Sequence, residues 1–221
     1  MKTNILKFVI TILLLLPGIS FAANRDKGEL NLNTDSDYNP SFNNRFSFML
    51  GFNSSLTKSA DLSNFAFSYA KHLDNFWVDS NIIMTKGLFQ EMSANNPVAT
   101  GATNDQLAAQ KNTLTTIGLG IGRETRYAQL ILPFDGIYEF MAADLTYNIY
   151  KEDFSGKSFN GPGLLAKYSV YKRFNDYFSA GAHFNYTLAV VQKAQEFDES
   201  SSARSLTLGF LTIGFEVSFF L

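Results

Sequence analysis

From Arg45 onward, apolar and polar residues alternate with a period of two. Phe46, Phe48, Leu50 and Phe52 interleave with Ser47, Met49, Gly51 and Asn53. Seven further segments repeat the pattern, at residues 64–70, 76–85, 117–122, 141–149, 164–170, 178–190 and 211–221. Successive side chains of a strand point to opposite faces, so each segment has one apolar face and one face of small or polar residues. The spacing predicts eight strands in an all-β domain over residues 45–221. No apolar run beyond Ala22 is long enough for a membrane-crossing helix.

Such strands can close with the apolar face inside, as in a soluble barrel or sandwich, or outside against lipid. Three features favour lipid. The second face carries Gly, Ala, Ser, Asn and few charges, which suits a narrow packed lumen, whereas a soluble barrel needs many Lys and Glu outside. The connections alternate in length. Residues 71–75 and 173–176 are tight, whereas 87–112, 151–160 and 193–204 are long and polar, as in membrane barrels with short periplasmic turns and longer external loops. Aromatic residues gather beside the tight turns: Tyr69, Phe76 and Trp77 at one, and Tyr168, Tyr171, Phe174, Tyr177 and Phe178 at the other. Rings placed there suit the polar boundary of a bilayer. The expected fold is an eight-stranded antiparallel transmembrane up-and-down β-barrel. An even count returns both chain ends to the periplasm. The stretch 123–135 is read as a long turn or an extension of the fourth strand, since a ninth strand would break that parity.

Composition sharpens the picture. Aromatic content is 15%, with 22 Phe and 10 Tyr, and charged residues are 17%, against about 25% in an average globular domain. Lys2 and Lys7 precede the apolar run Phe8–Leu16, and Ser20-Phe21-Ala22 offers small residues before a cut, the pattern of a secretory signal peptide over residues 1–22. An uncleaved anchor would need a longer apolar run. Residues 23–44 read as a flexible polar leader. Without Lys2 and Lys7 the 18 basic residues become 16 against 20 acidic, a charge of −4 that disfavours nucleic acid as a partner. The absence of Cys removes disulfides and lipoprotein processing.

The last segment, Thr212-Ile213-Gly214-Phe215-Glu216-Val217-Ser218-Phe219, resembles the β-signal of bacterial outer-membrane proteins through Thr212, Gly214, Val217 and Phe219. Phe220 and Leu221 follow the motif, where many such proteins end on the aromatic residue. With its eight alternating segments, the chain over residues 45–221 resembles the small OmpA-type and OmpX-type barrels of Gram-negative cell envelopes. The resemblance implies export, assembly by the barrel-assembly machinery and residence among outer-membrane lipids. External loops are the natural surface for a ligand, but no residue string names one.

Inward-facing charges are the candidate functional residues. Asp144, Lys167 and His183 are expected at similar heights on adjacent strands, and Arg45 and Glu216 are expected to meet across the closing seam. Buried opposite charges need partners, so these five read as a polar network that fills the lumen, since interiors of eight-stranded barrels usually fill with side chains. A narrow ion-conducting pore is the alternative. A lipid-modifying enzyme is less favoured: His183 has Asn185 beside it rather than a serine nucleophile, and His72 is expected to be solvated in a turn. Glu196, Asp198 and Glu199 form only a loose acidic loop, Gln106–Gln110 a possible helical turn, and Gly118, Gly120 and Gly122 suit close packing rather than phosphate binding. No catalytic residue, metal or cofactor is expected. The reading is a structural or surface-interaction barrel.

Overall fold

A computed structural model describes residues 42–54, 61–74, 76–89, 112–128, 136–153, 156, 158–193 and 205–221. The proposed signal peptide, nearly all of the leader, and the loop features at 106–110 and 196–199 lie outside these residues. Eight strands follow one another: β1 (Asn44–Ser54), β2 (Asp61–Leu73), β3 (Phe76–Gly87), β4 (Asn112–Thr125), β5 (Ile137–Glu152), β6 (Ser158–Asn175), β7 (Phe178–Lys193) and β8 (Ser205–Phe220). Each pairs antiparallel with its chain neighbours, and β1 pairs with β8 to close the barrel. Closure leaves no strand edge without a partner, which a bilayer demands because it offers no water to unpaired backbone groups. Among the described residues the closed order has no ninth strand. β4 continues to Thr125 and pairs directly with β5.

Side chains divide as the alternation requires. Leu145, Ile121, Leu119 and Leu50 are 62–73% exposed, while the inward residues Asp144, Thr146 and Met49 are buried. Phe215 is exposed at 47%, and Phe46, Phe67 and Phe184 lie on the same outer face, half-buried among neighbouring rings. A contiguous apolar exterior of this extent is incompatible with water and matches a lipid belt.

Two ends can be distinguished. The base is where β1 begins and β8 finishes; the rim is opposite. At the base the β2–β3 turn is tight enough that Asp74 takes a φ of 50°, a conformation that Asp tolerates better than most residues. Two aromatic side chains expected at the lipid boundary lie inside instead. Trp77 is 1% exposed and packs edge-on to Phe140, and Tyr171 is 2% exposed and sits beside Phe220. Both share the parity of the lumen-facing positions, Trp77 with Asp79 and Tyr171 with Lys167, so the pleat carries them inward however close to the turn they stand. Phe76, Phe174 and Tyr177 remain outside.

Candidate functional site

Inward side chains stack in layers along the barrel axis. At the base, Trp77, Phe140, Tyr171 and Phe220 form a buried aromatic cluster with Ala70 and Ala142. Two guanidinium groups thread it. Arg45 lies 4.4 Å from the Phe140 ring centroid and 4.5 Å from that of Tyr171; Arg173 lies 4.2 Å from Phe220 and 4.5 Å from Tyr138. Cations over ring faces gain from the ring quadrupole, the more so where water is excluded. Each guanidinium also holds a carboxylate. Arg45 pairs with Glu216, and Arg173 Nη2 lies 2.8 Å from Glu124 Oε1, to which the Tyr171 hydroxyl donates as well.

Above this layer Lys167 contacts Asp79 and lies 3.8 Å from Asp144. Asn81 Nδ2 donates to both carboxylates, at 3.2 Å to Asp79 and 2.7 Å to Asp144. The Ser68 hydroxyl donates to Asp79 at 2.7 Å, and Ser47 and Ser218 share a hydrogen bond at 2.8 Å, with Ser218 also donating to Glu216. Fixed hydrogen bonds to each carboxylate are what a buried ion pair needs to offset its desolvation. A small cavity borders this layer, lined by Arg45, Ser68, Asp79, Lys167 and Glu216.

Next comes a neutral layer. Asn64 donates to Thr212 at 2.8 Å, and Thr116 to Asn148 at 2.8 Å, while Asn148 donates to Thr146. His183 is fully buried here. A Cβ on Gly51 would lie 3.0 Å from its Nε2, and one on Gly214 would lie 2.7 Å from its Cε1. Both glycines flank the ring at the β1–β8 seam, where a Cβ on Gly51 would also lie 2.2 Å from Asn64 Oδ1 and one on Gly214 would lie 1.9 Å from the Leu50 carbonyl oxygen. At the rim the lumen turns apolar: Leu62, Leu114, Tyr150, Phe159, Val191, Leu206, Leu208 and Phe210 form one buried cluster, with Phe89 packed against it.

The five residues singled out in the sequence thus fall into three groups. Arg45 and Glu216 meet across the seam. Lys167 and Asp144 approach each other, with Lys167 in closer contact with Asp79. His183 faces Gly51 and Gly214 rather than Asp144. Asp79 is a central member that the sequence reading did not single out; it lies in the alternating segment 76–85 with the parity of Asn81, and that was the available signal. Glu124 lay in the stretch whose strand assignment was open, and Arg173 in a presumed turn. His72, expected to be solvated, lies within β2 with its ring 4.9 Å from that of Trp77. Of the β-signal positions, Thr212 and Gly214 face the lumen, while Phe219 is exposed and packs against Phe178.

A closed eight-stranded antiparallel barrel with an apolar exterior and a packed polar interior defines the small outer-membrane β-barrels. The fold recurs in Neisserial surface protein A, with a TM-score of 0.50 and 12% identity over 81% of this chain and 96% of that one. Weaker matches include the attachment invasion locus protein Ail of Yersinia pestis, with a TM-score of 0.31 and 9% identity over 79% of this chain and 95% of that one. Another is a major outer membrane protein of Thermus thermophilus, with a TM-score of 0.36 and 11% identity over 80% of this chain and 99% of that one. No protein-family model matches the chain, and no curated protein sequence does.

Proposed function

We propose that this protein is an outer-membrane barrel with a structural or surface-interaction role, whose lumen conducts no ions and carries no catalysis. The observation that supports this reading is the order of the lumen layers: paired charges across the middle, an aromatic–guanidinium layer at the base and an apolar layer at the rim. An ion would have to part hydrogen-bonded pairs and then cross hydrocarbon-like packing. On this reading the base faces the periplasm and the rim the outside. The chain reaches its membrane after cleavage near Ala22, and the assembly machinery reads Thr212, Gly214, Val217 and Phe219. His183, wedged against two glycines, is a packing residue.

Planar-bilayer recording tests the lumen. Purified protein is expected to give no discrete current steps, and reproducible single-channel steps would replace this reading with a narrow pore. Outer-membrane fractionation with heat-modifiable gel migration tests the location. A change in lipid acylation that depends on His183 would overturn the non-catalytic role.

A further inference from the structure

Inside the base half of the lumen, among the described residues, carboxylates outnumber cations by one, Arg126 standing exposed at the mouth over the Tyr138 ring. Arg45 is matched by Glu216, Arg173 by Glu124 and Lys167 by Asp79. Asp144 is the carboxylate left over, 2% exposed and sharing Lys167 only at 3.8 Å. Its Oδ2 accepts from Asn81 Nδ2, but its Oδ1 meets no donor. Nor does Asn81 Oδ1, on a side chain that is 3% exposed. Two buried acceptor oxygens without a donor, beside a carboxylate that shares its ammonium partner with Asp79, favour one further positive charge at this place.

We propose that Asp144 and Asn81 form a single-cation site, filled by one small cation, either a proton or a monovalent metal ion. The charged and polar groups that meet Asp144 are Asp79 and Asn81 from β3 and Lys167 from β6, while Ser68 from β2 donates to Asp79. On β4, Gly118 stands opposite Asn81 in register and Gly120 opposite Asp144. Those glycines let β4 come close to the site: a Cβ at Gly120 would lie 2.1 Å from the Ala143 carbonyl oxygen and 2.3 Å from Asp144 Oδ1, and one at Gly118 would lie 2.7 Å from Asn81 Oδ1. The charged neighbours Arg45 and Glu216 are engaged with each other at the seam, and His183 lies against Gly51 and Gly214.

The test uses the full barrel in detergent micelles, with the unfolding midpoint read by heat-modifiable migration from neutral to moderately alkaline pH. With tetramethylammonium as the only salt cation, the wild-type midpoint is expected to fall as pH rises. Restoration by sodium or potassium identifies a metal ion as the occupant, and lack of restoration a proton. Asp144→Asn should abolish both dependences and keep the midpoint at or above that of the wild type, whereas Asp79→Asn should lower it. Lys167→Met, which leaves two carboxylates to be neutralised, should steepen the dependence. A wild type insensitive to pH and cation overturns the proposal. So does an Asp144→Asn variant that keeps the dependences or fails to fold where Asp79→Asn folds, and so does a Lys167→Met variant with an unchanged dependence.

Discussion

The two halves of the lumen solve the same packing problem by different means. The base half is held by charges fixed in pairs, Arg45 with Glu216, Arg173 with Glu124 and Lys167 with Asp79, interleaved with Phe140, Tyr171 and Phe220. The rim half is held by Leu62, Leu114, Tyr150, Phe159, Leu206 and Leu208, which bring no charge at all. Ion pairs demand one geometry and penalise every other, because a buried charge that loses its partner is costly. Apolar packing is more forgiving of register and small displacements. The contrast places geometric precision at the seam-closing end, where Arg45 on β1 must find Glu216 on β8, and tolerance at the end that carries the long connections.

The largest effect should come from breaking the paired half. Lys167→Met leaves Asp79 and Asp144 facing each other and is expected to destabilise the barrel by roughly 3–5 kcal/mol, read as a lower midpoint in urea. In the apolar half, Leu208→Ala should cost about 3 kcal/mol through cavity formation, with no dependence on salt in the same assay. Salt sensitivity of that loss would blur the distinction between the halves. Thr116→Val, at the border between them, removes one hydrogen bond to Asn148 and should cost about 1 kcal/mol. The smallest net change is expected from replacing a whole pair. Arg45→Met combined with Glu216→Leu should stay within about 1 kcal/mol of wild type or exceed it, although Arg45→Met alone loses several kcal/mol. A double variant as unstable as the single one would show that the guanidinium–ring contacts, rather than the ion pair, hold the base.

Much of this was legible from the sequence. The alternation at Phe46–Phe52 and at Leu211–Leu221 marked both the strands and their outer faces, since the pleat permits no other assignment once one face is apolar. Arg45 and Glu216 were readable as neighbours because the seam joins the first and last strands. Lys167 and Asp79 were not, being on β6 and β3, which are not adjacent and share no register from which contact could be counted. Nearness to a turn misplaced Trp77 and Tyr171, because proximity to the bilayer boundary says nothing of which face a residue occupies. The apolar rim layer was missed for a related reason: Leu62, Leu114 and Leu208 lie outside the segments that showed clear alternation.

Local chemistry therefore decided which residues form strands and which face meets lipid, because side-chain direction along a strand depends only on the count of residues. Tertiary structure decided who meets whom across the lumen. Contacts there span the barrel's interior between strands far apart in the chain, and their lengths depend on how the closed sheet curves, which no period along the sequence encodes.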